Sequence, residues 1–428
     1  MRNMSLIFTL IIMTILVFKK WNIIFVTIIS AFIIAITNKM NIENVILQTY
    51  AGSFKNFVGS WFLIFIVSAI FGEIMKESGS SETIANILLK NLGEKRVVLL
   101  ILLTTFILSY SGISVFVIAF TVYPICHNLF SKLKIPFEIA PGLVLAIPAT
   151  VTMVIFPGTV SIQNIIPTKY FKTTIYAAPI IGLIVSIFIF LCDYIFYSLV
   201  INKYLKSINS KNLNIQNKLL KKESFYSFIP IFIVLIMNSI ILKKYFKFSN
   251  NFSISIGIIL GILATFILYR KNLNIKDVIN NGIINGSNAL FITASIIGLG
   301  GVISKSNGFN QCISWLFRIK LNPILSMFII VNIICMITAS STVGLTIYLE
   351  VFSKYLLSTG IDVSILHRLT AIASAGLDAM PFASGITMIN SVFKTDLKKS
   401  YKYIFVSQCI IPIMGFGIAY ICYICGLK

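Results

Sequence analysis

Apolar residues in this chain run in unbroken blocks, with the polar residues gathered between them. Trp21 to Thr37, Phe57 to Phe71, Val97 to Leu108 and Phe252 to Tyr269 carry no acidic or basic side chain. An α-helix rises about 1.5 Å per residue, so roughly 20 apolar residues cross the hydrocarbon core of a bilayer. Several blocks approach that length and others fall short, which predicts ten or more spanning or half-spanning helices. Strands of a membrane barrel alternate polar and apolar positions over about ten residues, and no such alternation is present. Met1 to Phe18 has Arg2 ahead of an apolar run, as a signal peptide does. Lys19 and Lys20 follow it without a small-residue cleavage site, so the run reads as a first helix.

Composition strengthens this picture. The chain is 57% hydrophobic and 11% charged, with a mean hydropathy of +0.95, whereas soluble domains are about a quarter charged. The net charge of +22 invites a nucleic-acid reading, but its placement excludes one. Lys203, Lys206, Lys211, Lys218, Lys221 and Lys222 crowd one polar connection between apolar blocks. Loops rich in Lys and Arg stay cytoplasmic, which puts residues 201–225 on that side with anionic lipid as their neighbour. The seven cysteines are scattered, and Cys422 with Cys425 has no second pair to complete a zinc site. They imply neither a metal nor a redox compartment, and no cofactor is expected. Richness in Ile, Asn and Lys points to an AT-rich bacterial genome, hence a bacterial inner membrane.

From the basic loop the orientation can be followed outward. Phe225 to Leu242 crosses out, Phe252 to Tyr269 returns, and Arg270, Lys271 and Lys276 lie inside; Ser287 to Ile303 then runs outward. Lys19, Lys20, Lys76, Lys90, Lys95 and Arg96 also read as cytoplasmic, so Phe57 to Met75 runs inward. Lys243, Lys244 and Lys247 fall outside and run against the rule. The two oppositely directed helices end in similar sequence: Gly72-Glu-Ile-Met-Lys76-Glu-Ser-Gly79 and Gly301-Val-Ile-Ser-Lys305-Ser-Asn-Gly308, an offset of 229 positions. The same offset takes Ser109-Tyr-Ser111-Gly112-Ile-Ser114 onto Thr338-Ala-Ser340-Ser341-Thr342-Val343. Phe156-Pro157-Gly158 then pairs with Met380-Pro381-Phe382 at 224. Three matches in order, in segments of opposite direction, predict an inverted-topology repeat; chance similarity among apolar runs is the alternative.

The expected fold is therefore all-α, a polytopic integral membrane protein with inverted-topology repeats and interrupted or re-entrant helices. Residues 1–49 supply N-terminal transmembrane helices and 50–200 the first repeat. Residues 201–278 hold the basic cytoplasmic loop and two linking transmembrane helices, and 279–428 the second repeat. Unpaired backbone groups cost several kcal/mol in hydrocarbon, so a break survives only inside protein or against water. Ser109 to Ser114 and Thr338 to Gly344 are such breaks. Each exposes the N–H groups of a new helix N-terminus, which attract a carboxylate. Close helix packing at small residues is the other use of such clusters. Prolines mark a second pair of breaks, at Pro148-Ala-Thr150 with Phe156 to Thr159, and at Ala379-Met-Pro381 with Ala383 to Gly385. The expected substrate-binding residues are Ser109, Ser111, Gly112, Ser114, Pro157, Gly158 and Thr159 in one half. In the other they are Ser340, Ser341, Thr342, Pro381, Ser384 and Gly385.

Ile372-Ala-Ser374-Ala-Gly376-Leu-Asp378-Ala-Met-Pro381 with Ser384-Gly385 resembles a C-terminal signature of the gluconate permease family. Gly72 to Gly79 and the Phe156 to Thr159 turn resemble first-half motifs of that family, so the resemblance covers roughly residues 50–420. It implies a proton-coupled symporter of sugar acids and carboxylates within the ion-transporter superfamily. The family pattern places a histidine near the proline turn of each half. Here Val154-Ile-Phe156-Pro157-Gly158 and Met380-Pro381-Phe382-Ala383 have none. Ile, Phe and Met offer a polyol no hydrogen bonds, so a short-chain fatty or hydroxy acid fits better than gluconate.

Coupling requires a group that changes charge, and ionisable residues inside a membrane are rare and functional. The candidates are Glu73, His127, Asp193, Glu350, His367 and Asp378. Asp378, between Gly376 and Pro381, is the proton-coupling candidate, since desolvation favours a neutral carboxyl; a helix cap is its other role. Glu73 beside Lys76 reads as an interfacial pair, and His127 and His367 as interfacial residues. No acidic or His cluster has metal-ligand spacing and no Walker motif occurs, so the chain is not read as an enzyme or an ATP-driven pump. The expected function is secondary transport of a small organic anion with protons, or sodium, as the coupling ion. An anion channel or uncoupled exchanger is the first alternative and a membrane-embedded enzyme the second. Homodimers are common in this architecture, though no motif here specifies one.

Overall fold

A computed structural model describes residues 2–93, 96–110, 113–159, 161–205, 226–237, 250–269, 273–316 and 321–428. Ser111, Gly112, most of the basic loop, and Lys243, Lys244 and Lys247 lie outside the described residues.

Among the described residues the regular structure is helical, and seven helices are long and apolar enough to cross a membrane. The fold is an all-α, multi-pass membrane protein, as the blocks predict. Helices α1 (Arg2–Phe18) and α2 (Ile23–Thr37) precede a series of seven elements. That series is α3 (Asn44–Glu77), α4 (Ser80–Leu92), α5 (Val97–Tyr110), α6 (Val115–Lys132), α7 (Phe137–Ile155), α8 (Ile162–Phe171) and α9 (Pro179–Leu205). Two helices follow, α10 (Ile229–Ile236) and α11 (Asn250–Tyr269). A second series then begins with α12 (Ile275–Ser304), α13 (Asn307–Leu316), α14 (Pro323–Thr338) and α15 (Ser341–Ser358). It ends with α16 (Val363–Ala373), α17 (Ser384–Phe393) and α18 (Leu397–Ile424). Both series run long helix, short helix, helix–break–helix, helix, broken turn, ten-residue half-helix and long closing helix.

The two opening helices lie antiparallel. As α12 advances, Gly282 and Gly286 near its start meet Ile70 and Phe65 in the later half of α3, and Gly298 and Gly301 near its end meet Tyr50 and Ser53 in the first half. A Cβ on Gly282 would stand 2.7 Å from the Ile70 Cα, and one on Gly286 2.9 Å from the Phe65 carbonyl. Without the hydrophobic effect to join them in lipid, membrane helices associate by such close backbone approach. The closing helices are antiparallel too. Gly415 of α18 packs on Ile189 and Val185 of α9, whereas Tyr403 and Ile404 meet Tyr197.

Ion pairs gather the element ends at one face. Lys20, in the α1–α2 turn, bonds Asp396 at 2.8 Å, and Lys132 at the end of α6 bonds Glu82 at 2.9 Å. The hydrogen bond from Lys20 holds the Asp396 carboxyl below the usual carboxylate range. Glu73 and Lys76 form the expected pair at 3.0 Å. The basic residues near this face are those the positive-inside rule expects at a cytoplasmic one. At the opposite face Lys428 bonds Asp362 at 2.6 Å.

One expectation is corrected. Pro148-Ala-Thr150 is no break: the chain stays helical through Ile147–Ile155 with i→i+5 bonding, which absorbs the donor that proline lacks. His367, five residues past Asp362, is fully buried within the protein.

Candidate functional site

The second break is built by three residues. Ala339 adopts a left-handed backbone (φ 51°) that ends α14, a conformation costing an L-residue about 1–2 kcal/mol. Ser340 is extended and its hydroxyl accepts from the Val343 N–H at 3.3 Å. Ser341 opens α15 and is buried. The strain is retained because α14 and α15 pack together across it, with Gly344 lying against Cys335.

Half-helix α8 from the first series leans on this tip. The Gln163 amide donates to the Ser341 hydroxyl at 3.1 Å and to the Thr342 hydroxyl at 3.0 Å. The Asp378 carboxyl lies close to the Ser341 hydroxyl. Asp378 sits in the loop between α16 and α17, six residues ahead of Ser384, where α17 starts. It therefore does not cap that helix. Asn332 of α14 fixes the loop, donating to the Ala373 carbonyl at 3.0 Å and accepting from the Leu377 N–H at 2.9 Å. The structure thus brings Ser340, Ser341, Thr342 and Asp378 together around Gln163.

At the first break, Ser109 accepts from the Thr152 hydroxyl of α7 at 2.7 Å. Ser114 is the N-cap of α6, yet its hydroxyl makes no cap bond and is buried without a hydrogen-bond partner among the described residues. Ser111 and Gly112 lie outside the described residues. The α7–α8 turn links the two breaks, since Ser161 Oγ, just ahead of Gln163, reaches back to the Met153 carbonyl. Within that turn Pro157 packs on Gly182, and Gly158 (φ 82°) donates its N–H to the Ile175 carbonyl at 3.0 Å. The Thr159 hydroxyl closes on the Phe156 carbonyl at 3.2 Å. Pro381 is buried in the matching turn, and Ser384 and Gly385 open α17, which packs against α6. Each half-helix therefore rests on the broken pair of the other series.

The residues the sequence did not single out hold this turn in place. Arg368, fully buried, donates to the carbonyls of Ala177 (3.0 Å), Ile155 (3.0 Å) and Ile175 (3.1 Å) and to Asn164 Oδ1 (3.1 Å). Its partners are all neutral oxygens around α8. His367 Nδ1 lies 2.6 Å from the Thr173 hydroxyl and Nε2 3.2 Å from Asn164 Oδ1. A charge within the apolar run from Val363 to Ala373 is the signal that could have marked Arg368.

The two series, whose opening and closing helices run antiparallel, thus meet at Gln163 and Ser341, with the half-buried Asp378 close by. A family model described as GntP family permease matches residues 1–425. The chain belongs to the GntP permease family. It is also 26% identical to an uncharacterized transporter of Bacillus subtilis (strain 168), YxjC, over 99% of this chain and 100% of that one. As a GntP permease it is a transporter, not an enzyme, in a bacterial cell membrane.

Proposed function

We propose that this GntP permease is a proton symporter for a small organic anion, bound where the N-termini of α6 and α15 open inside the protein. Residues 50–200 and 279–428 act as its inverted repeats. The placement of Asp378 beside Ser341 carries this reading. A carboxylate cargo drawn to the α15 N-terminus meets Ser341, Thr342 and the free N–H groups of the first turn. It also meets Asp378, and two carboxylates in one buried site do not both ionise cheaply. Cargo and proton therefore bind together and leave together. The Ser114 hydroxyl, without a partner among the described residues, offers the cargo a further donor from α6. Proline turns at Pro157 and Pro381 with Gly158, Thr159, Ser384 and Gly385 shape the walls, while Phe156, Met380 and Phe382 supply apolar surface. That surface favours a short hydroxy acid over a polyol acid.

The test is transport in proteoliposomes, with protein-free liposomes as the control for passive leak. Under an inward proton gradient, labelled lactate accumulates against its own gradient and a protonophore abolishes the accumulation. Asp378→Asn retains exchange and loses its dependence on pH. Ser341→Ala, losing a hydrogen bond worth about 1 kcal/mol, weakens half-saturation about five-fold. Current without accumulation would mark a channel. Unaltered pH dependence in Asp378→Asn would remove the coupling role, and accumulation of gluconate alone would reverse the substrate preference.

A further inference from the structure

A cavity of about 250 Å³ lies between α3, α6, α12 and α17, lined by Glu73, Lys76, Tyr123, Asn285, Asn288 and Lys394 among others. Its polarity is anomalous for its depth. Asn285 and Asn288 lie ten and thirteen residues into the 30-residue α12, which is about 15–20 Å along the axis. Neither amide hydrogen-bonds another described residue. Amides cannot be left bare in hydrocarbon, so this space holds water. Its two cations differ. Lys76 is neutralised by Glu73 at 3.0 Å and Glu77 at 3.2 Å, whereas Lys394 has no carboxylate within 4.0 Å among the described residues.

The cavity also leads somewhere. Lys394 ends α17 and Ser384 begins it, so the half-helix carries its polar face about 15 Å from the cavity to the broken turn beside Asp378. Ser384 and Ser391 are two turns apart on that face, and both are half-exposed. Lys394 lies two residues from Asp396, which bonds Lys20 at the cytoplasmic face.

We propose that this cavity is the cytoplasmic vestibule of the transport route and that Lys394 holds the carboxylate of the cargo at its mouth. The proposal rests on the anion reading above and adds a second, outer binding position to it. Lys394 draws the anion in, and the amides of Asn285 and Asn288 replace part of its water shell. The anion then moves along α17 to the α15 N-terminus.

Two measurements test it. Asn288→Cys, in a background carrying Cys425→Ser, is exposed to a charged, membrane-impermeant thiol reagent in vesicles of known sidedness. Labelling from the cytoplasmic face alone, above that of the parent, is the expected result. Labelling from the outer face, or none from either, overturns the vestibule whatever the cargo. In the second, lactate is presented at the cytoplasmic face of vesicles containing Lys394→Gln. Its half-saturating concentration rises up to about five-fold, the size of one partly screened ion pair, maximal rate is kept, and Lys394→Arg restores affinity. Unchanged half-saturation in Lys394→Gln removes the binding role of Lys394. Failure of the anion reading shows separately, as absence of lactate transport by the unsubstituted protein while Asn288→Cys still labels.

Discussion

Arg368 shows how one residue fixes the turn that carries Gln163. Its guanidinium fork spans four oxygens of the α7–α9 turn, and charged hydrogen bonds are worth about 1.5–3 kcal/mol each. Lysine has one nitrogen where arginine has three and cannot reproduce the fork. Arg368→Lys should therefore lower the melting temperature of the detergent-purified protein, by an energy of about 3 kcal/mol, the scale of breaking a buried charged contact. An unchanged melting temperature would show that the fork is dispensable. In the sequence, Arg368 is one basic residue next to a histidine, and its carbonyl partners lie roughly 190 to 215 positions away. Residue types disclose no such backbone partner. The non-helical loop that holds Asp378 was legible because the Gly and Pro around it announce a break.

Helices and their interruptions were more readable, because breaks in lipid demand recognisable residues. The Ser and Gly clusters mark the ends of α5 and α14, and Phe156 to Thr159 marks the turn before α8. Pro148 misled because a π-type turn accommodates a missing N–H without opening the helix. The α3–α12 seam is legible in retrospect as Gly282-x-x-x-Gly286. Gly286→Leu would drive its side chain into the Phe65 carbonyl and the Ala69 methyl. Overpacking of this kind costs about 1–3 kcal/mol. Reduced yield of folded protein in the membrane is expected, with Gly52→Leu, whose position is open, as the tolerated control. Equal yields from the two would show that the seam is not closely packed.

Over the whole molecule, fold class followed from hydropathy alone, and the opposite senses of the two opening helices from the distribution of lysine and arginine. What one sequence does not reveal is how the halves embrace, because the contacts that join them are long in sequence and small in size, such as Gln163 to Ser341. If the series are inverted copies, the broken pair α5–α6 stands on the cytoplasmic face and the pair α14–α15 on the outer one. Lys134, just past α6, and Ser358, at the end of α15, are both exposed. Side-specific labelling of Lys134→Cys and Ser358→Cys with an impermeant thiol reagent puts the inversion to its most direct trial. The expected result is modification of the first from the cytoplasm only and of the second from outside only; modification of both from one face would contradict it.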